Sequence, residues 1–314
     1  MDRLIYLMAR TFVGALQCLP MAWVVQAGRA FGTLAWWIDG RHRRVALSNL
    51  SACLGREIPP ETIRAIAHEN FRRLGENYLG AIRTSAMSDE ELAPRVDFAD
   101  ARKLAVQDAD GRLPNRVVAI GHFGNFEVFA RLARRFPGLR CATTYRGFEQ
   151  RSLDQLMQSI RARSGCQYFE RRRDAAALRA AMNKPGLLLG LLSDQHAGDG
   201  GIRLPFLGLD CSTSAAPAIF ALRYRCPLHV AICYRVRPGH WRIEVSDEIP
   251  TRVDGRSRGS DEIMRDVNVL FEAAIRADPA NWFWVHRRWK PAPPARQGPP
   301  VAPAPPVVPV GEGG

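Results

Sequence analysis

Apolar positions along the middle of the chain fall into two patterns that take turns. Short continuous runs occur at residues 116–120 (RVVAI), 141–145, 187–192 (LLLGLL) and 229–236, the form expected of strands covered on both faces. Elsewhere the spacing becomes that of a helical stripe. Leu153, Leu156, Met157 and Ile160 lie at i, i+3, i+4 and i+7, and Ile263, Val267, Leu270, Phe271 and Ala274 keep the same period. Strand alternating with helix predicts an α/β fold, with a mixed, largely parallel sheet flanked by helices. Residues 41–83 are patterned as helix ahead of this sheet, with Pro59-Pro60-Glu61-Thr62 as a helix start. No repeat of fixed period appears.

The two ends depart from this pattern. Residues 11–28 carry no charge, and after Arg29 apolar character resumes as far as Ile38, with Trp36 and Trp37 near its end and Arg41, His42, Arg43 and Arg44 beyond. Pro20, Gln17, Gln26 and Arg29 interrupt the stretch, so a spanning helix competes with two shorter helices lying in the membrane interface. Tryptophans at headgroup level and arginines on the cytoplasmic side favour membrane association. A secretory signal peptide with Arg3 and Arg10 as its basic start, or a buried N-terminal core helix, are the competing readings. From residue 291 onward the chain holds nine of its 22 prolines and reads as an extended, disordered tail. The expected division is a membrane-associating segment at 1–40, a catalytic domain at 41–290 and the tail at 291–314.

Composition narrows the partners. With 46% hydrophobic and 24% charged residues in 314, wholesale disorder is excluded. The formal charge is +13, and all of the 44 basic residues except Lys103, Lys184 and Lys290 are arginine. Such a surface favours phosphate-bearing lipid, an acidic carrier protein or nucleic acid. The seven cysteines (18, 53, 141, 166, 211, 226 and 233) form no C-x-x-C pair, so neither a disulfide framework nor a zinc site is indicated, and a reducing compartment fits.

Candidate chemistry concentrates after the first strong strand, in Gly121-His122-Phe123-Gly124-Asn125-Phe126-Glu127. Open α/β sheets bind ligands beyond the carboxyl ends of their strands, which is where this turn stands. On one continuous helix, His122 and Glu127 would be about 140° apart. They face each other only if His122 lies in the turn and Glu127 in the first turns of the helix, and the two glycines supply such a turn. A carboxylate on one imidazole nitrogen fixes the tautomer and leaves the other nitrogen as a general base. A capping histidine beside a solvated glutamate is the competing reading.

From this G-H-x4-E turn outward, the sequence resembles the lipid A late acyltransferases, within the broader lysophospholipid acyltransferase group. The resemblance runs over nearly the whole chain to Lys290. RHRRVALSNLSACLG resembles the family's lead-in to an Asn-Leu pair, here Asn49-Leu50. It continues through His122 and Glu127, Tyr145-Arg146, Arg161 with Gly165, Asp194-Gln195, PFLG at 205–208 and NWFWVHRRWK at 281–290. Departures occur at Gly147, where members carry proline, at Leu207 in place of a second phenylalanine, and at Ala280-Asn281 in place of Glu-Gln.

The resemblance implies a glycerolipid acyltransferase-like fold and a membrane-bound enzyme of lipopolysaccharide synthesis on the cytoplasmic face of the bacterial inner membrane. It would move a fatty acyl group from an acyl carrier protein or coenzyme A thioester to a hydroxyl of a lipid A precursor. Other acceptors (a lysophospholipid, a phosphatidylinositol mannoside or an aminolipid) stay open. His122 and Glu127 would be the catalytic pair. Arg146, Arg161, Asp194 and Gln195 would bind substrate or phosphate, and Gly121, Gly124 and Asn125 would shape the turn or an oxyanion site. Such a transfer needs a base and positive dipoles but no metal or resident cofactor.

The residues give independent readings at two of these positions and at several others. Arg161 continues the Leu153 and Met157 stripe toward the protein body, where a phosphate or a carboxylate would partner it, whereas Arg163 points elsewhere; a helix-end cation stopped by Gly165 is the alternative. Asp194 belongs at another strand's carboxyl end, as a second carboxylate of the site or as a loop anchor. The loop's His196 and Asp199 are too few for a metal site, and His286 is expected to pack between tryptophans. Arg287, Arg288 and Lys290 among Trp282, Trp284 and Trp289 would suit nucleic acid, but no nucleic-acid module is visible. A noncatalytic membrane scaffold would leave the His-x4-Glu turn unexplained.

Overall fold

A computed structural model describes residues 2–291. Its N-terminal third is helical: α1 (Asp2–Cys18), α2 (Met21–Ile38), α3 (Gly40–Leu54), α4 (Pro60–Ser85) and the short α5 (Asp89–Leu92). After these come β1 (Val96–Asp97), β2 (Arg116–Ile120), α6 (Leu132–Arg135), β3 (Arg140–Tyr145), α7 (Arg151–Arg161), β4 (Gln167–Glu170), α8 (Ala175–Met182) and β5 (Leu187–Leu192). The chain continues through β6 (Ile202–Phe206), β7 (Leu209–Thr213), α9 (Ala216–Tyr224), β8 (Leu228–Arg237), β9 (His240–Val245), β10 (Arg252–Val253), β11 (Arg256–Ser257) and α10 (Ser260–Ala277). The four apolar runs are β2, β3, β5 and β8, and the two helical stripes are α7 and α10.

Seven strands form one sheet in the order β1-β9-β8-β2-β5-β3-β4. Every neighbouring pair is parallel except β8 with β9, so the chain has an α/β fold with a mixed, mostly parallel sheet. All five residues of β2 are buried, as expected of a central parallel strand between two helical layers. One core layer includes Phe71, Phe123, Leu189, Phe271 and Trp282, and the other Val118, Ile120, Leu188 and Trp241. Hairpin β6–β7 turns through Leu207 and Gly208, with φ of 50° and 76°; the departure from the family pattern at Leu207 thus sits in a left-handed position, its side chain buried.

The uncharged N-terminal stretch forms two helices broken at Leu19-Pro20. Among the described residues no helix is long and apolar enough to cross a membrane. Helix α2 lies hard against α4: a Cβ on Gly28, Gly32 or Gly75 would collide with the facing backbone. Beside this contact Arg29 pairs with Glu69 at 3.0 Å and with Glu76 at 3.2 Å. The fully buried Glu76 also takes Arg235 at 3.0 Å and the Gly239 backbone N–H at 3.0 Å, so its charge is compensated on three sides. Trp36, expected at headgroup level, is a core residue against Phe71 and His68. Trp37 is 65% exposed. The proline-rich stretch at 292–314 lies outside the described residues.

Candidate active site

His122 leaves the carboxyl end of β2 in the turn ahead of a 3-10 segment, Phe126–Arg131. Two glycines make that turn possible. Gly124 has φ of +50°, and a Cβ there would fall 2.6 Å from the Cys233 carbonyl oxygen. At Gly121 a Cβ would strike the Phe123 ring and crowd the Asp194 carboxylate at 3.3 Å. The backbone N–H of Gly124 donates to Asn281 O (3.1 Å) and that of Phe123 to Gly121 O (2.9 Å). Asn125 is buried, with its amide donating to Thr84 Oγ1 at 3.2 Å. These residues therefore hold the turn's shape.

The carboxylate on His122 is Asp194. Its Oδ1 stands 2.8 Å from His122 Nδ1, and its Oδ2 accepts the His122 backbone N–H at 2.8 Å. The expected pairing of His122 with Glu127 is replaced by this contact, because β2 and β5 are parallel neighbours in register. Ile120 lies beside Leu192, so the residues two beyond each, His122 and Asp194, arrive at the same level. Burial pushes the Asp194 carboxyl up, but the His122 ring and the hydrogen bonds from His122 and Trp282 outweigh it and hold the group below its ordinary value. The carboxylate thus fixes the imidazole, and Nε2 faces the Gln195 amide nitrogen 3.4 Å away. Rings of Phe126 and Phe283, with centroids at 4.9 and 5.6 Å, limit how the imidazole can move.

Glu127 instead pairs with Arg161 at 3.0 Å. The inward direction of Arg161 follows from its stripe on α7, and its guanidinium also lies over Tyr145 and Tyr168, 5.6 and 5.0 Å from the ring centroids. Its Nε is buried without a hydrogen bond. Gly165 closes the helix end with φ of +81°. Arg163 is exposed.

Two cavities meet at His122. One, of about 320 Å³, runs between α4 and α7 and is walled by apolar side chains such as Leu74, Ile82, Met157, Ile160 and Phe283. The other, of about 630 Å³, follows the carboxyl ends of the strands and presents Arg146, Arg161, Arg171, Lys290, Gln195 and His286. Arg146 is otherwise exposed. Burial, against the pull of the Asp194 charge, lowers the His286 pKa to about 4, so this ring is neutral near pH 7. Its Nε2 accepts the His196 backbone N–H at 3.2 Å. Among the described residues no group of three His, Cys, Asp or Glu side chains could hold a metal ion.

The C-terminal aromatic and basic signature is structural as well as local to the site. Trp282, Trp284 and Arg288 are fully buried, which removes them from any nucleic-acid stacking surface. The guanidinium of Arg288 donates to Gln195 O at 3.1 Å, to Ser212 O and to Thr213 Oγ1 at 2.9 Å, tying down the loop that carries Asp194. Asn49 donates to the carbonyls of Trp284 and His286 (2.9 and 2.8 Å), and Asn70 to those of Ala280 and Trp282. Asn70 and the contact from Trp282 to Asp194 had no sequence signal of their own, although Trp282 lies within the signature.

A histidine held between an apolar cavity and a basic one suits transfer of an apolar group to or from an anionic carrier. The family model for bacterial lipid A biosynthesis acyltransferases matches residues 3–291. The chain belongs to that family, and it is an acyltransferase. Among curated proteins none matches it.

Proposed function

We propose that the chain moves a fatty acyl group from an acyl carrier protein or coenzyme A thioester to a hydroxyl of a lipid A precursor. The observation that carries this reading is His122 at the junction of the two cavities, with Nδ1 held by Asp194 and Nε2 beside the Gln195 amide. The apolar cavity takes the acyl chain, and the basic one takes the phosphate groups of donor or acceptor. His122 Nε2 removes the acceptor hydroxyl proton as the oxygen attacks the thioester carbonyl. The tetrahedral intermediate then collapses: the C–O bond is kept, the C–S bond breaks, and the imidazolium returns its proton to the leaving sulfur. Asp194 orients the ring and stabilises the imidazolium, while Arg161, anchored by Glu127, supplies positive charge beside the reacting carbonyl or a phosphate. Arg146 and Gln195 contact substrate at the mouth. This chemistry calls for no resident metal or cofactor.

In the same reading, α1 and α2 rest on the cytoplasmic face of the bacterial inner membrane as interfacial helices. Leu4, Leu7, Met8 and Phe12 of α1, and Trp23, Phe31, Leu34, Trp37 and Ile38 of α2, are all exposed, which supports a lipid-facing surface. Residues 1–40 then act as the membrane-associating segment of an acyltransferase domain at 41–290. The test is to incubate purified protein with labelled fatty acyl thioesters and total bacterial membrane lipid, and to identify the product by mass. An acylated lipid A precursor formed by the wild type and lost in His122→Ala supports the proposal. Acylation of a glycerophospholipid instead would move the chain to a different acceptor, and full activity of His122→Ala would remove the mechanism.

A further inference from the structure

The indole Nε1–H of Trp282 donates to Asp194 Oδ2 at 2.8 Å. That oxygen also accepts the His122 backbone N–H, while Oδ1 faces His122 Nδ1. Three donors thus surround one buried carboxylate, two of them from His122 and the third, the indole, from 88 residues beyond Asp194 along the chain. Its position is built with care. Asn70 holds the backbone on both sides, the Phe123–Trp282 bridge joins it to the His122 turn, and Trp284 and Phe206 pack on the ring with centroids at 4.8 and 5.7 Å. Arg73 pairs with Asp278 at 2.6 Å where the segment begins.

We propose that Trp282 is a positioning residue of the transfer reaction: its N–H sets the orientation and charge distribution of Asp194 and, through it, the basicity of His122. The inference rests on the His122–Asp194 roles given above. Without the indole donor, negative charge shifts from Oδ2 toward Oδ1, the imidazolium is held more tightly, and it gives up its proton at higher pH. The buried carboxylate, having lost one donor, is also easier to protonate, and its protonation disables the pair. Both effects move the acid limb of activity upward. Facing the pair are His286 and Arg288 on the C-terminal segment and Glu127 with Arg161 across the cavity, while Arg146, Arg171 and Lys290 line the basic cavity at His122. All of these are unchanged by substitution at 282.

The experiment compares full-length wild type, Trp282→Phe and a variant in which the Trp282 indole is replaced by benzothiophene, which keeps the ring volume and lacks the N–H. The pH dependence of kcat and KM is measured with a fatty acyl thioester of acyl carrier protein and bacterial membrane lipid. His122 is titrated separately by 15N-histidine NMR, which needs no substrate. Expected in both variants are a roughly tenfold fall in kcat with KM within about twofold. The acid limb and the His122 titration should both rise by roughly half to one pH unit. A benzothiophene variant with wild-type kcat and titration would overturn the inference, and a loss confined to Trp282→Phe would then reflect packing alone. His122→Ala serves as the reference: if it stays active, the proposed mechanism itself fails, whereas its inactivity beside an unaffected benzothiophene variant sinks only the role of Trp282.

Discussion

Arg161 and Glu127 form a 3.0 Å ion pair in the wall shared by the apolar and the basic cavity. The pair joins the end of α7 to the 3-10 segment after the His122 turn. Each residue therefore borders both the proposed acyl-chain site and the proposed phosphate site, and Glu127 stands one step removed from the imidazole it was expected to orient. Arg161 lines both cavities, so an anionic ligand in either one would meet its charge beside Glu127.

His122→Ala should cut acyl transfer by roughly 10²–10⁴-fold, the usual worth of a general base. Asp194→Asn should approach that loss, because an amide at this position favours the wrong tautomer. Glu127→Gln should cost less and should act mainly on KM, through Arg161. Thioester turnover of the three variants, with circular dichroism to check folding, distinguishes the roles. Near-normal activity of Asp194→Asn together with an inactive Glu127→Gln would return the orienting role to Glu127.

Arg161→Ala should harm transfer at least tenfold more than Arg163→Ala, although each removes one charge within the same turn. A bidentate or buried contact is lost only at the inward position, while general attraction of an anionic substrate is shared by both and fades with salt. Kinetics at low and high ionic strength make the comparison. Equal, salt-sensitive losses would show that Arg161 contributes only to the overall field.

The proposed lipid-facing surface is best probed without removing α2, whose glycines interlock with α4 and whose loss would uncover the core. Trp23, Phe31 and Trp37 are 69%, 55% and 65% exposed, so replacing all three with serine should leave the melting temperature within a few degrees. Each large apolar side chain is worth up to about 1.5–3 kcal/mol when fully buried, and partial insertion of three predicts at least a tenfold fall in binding to anionic phospholipid vesicles. Unchanged cosedimentation would assign binding to the basic surface instead.

Stability should fall as pH drops from 6.5 toward 4, partly through His286. The ordinary value of 6.5 is lowered to about 4 in the folded chain, so between these values the unfolded state takes up a proton that the folded state refuses. Stability therefore rises with pH across this window and is level above it. Urea melts of wild type and His286→Gln between pH 4 and 7.5 test the sign: the variant should show a flatter slope, and parallel curves would assign the dependence to other groups.

Much of the fold was legible because local pattern and tertiary role agreed. The four apolar runs became β2, β3, β5 and β8, since a central parallel strand must be apolar on both faces, and the stripes of α7 and α10 fixed their buried sides. The direction of Arg161 was readable for the same reason: helical periodicity over two turns reports a side chain's direction. The glycine-flanked His122 could be placed at a strand's carboxyl end from sequence order alone.

What sequence order does not contain is which strand lies beside which. Asp194 is 72 residues from His122, whereas Glu127 is near in the chain and completes the His-x4-Glu motif, which made it the expected partner. Pairing of β2 with β5, in a register that aligns Ile120 with Leu192, decided the matter. Trp36 and Trp37 show the same limit on a smaller scale: both fit a membrane interface by type, but a rotation of about 100° between successive helical residues buries one against α4 and exposes the other. Sequence by itself determined four strands of the main sheet, the inward faces of α7 and α10 and the reactive turn; tertiary structure decided the partners, because hydrogen bonds and burial depend on strand adjacency and helix contacts that no local pattern encodes.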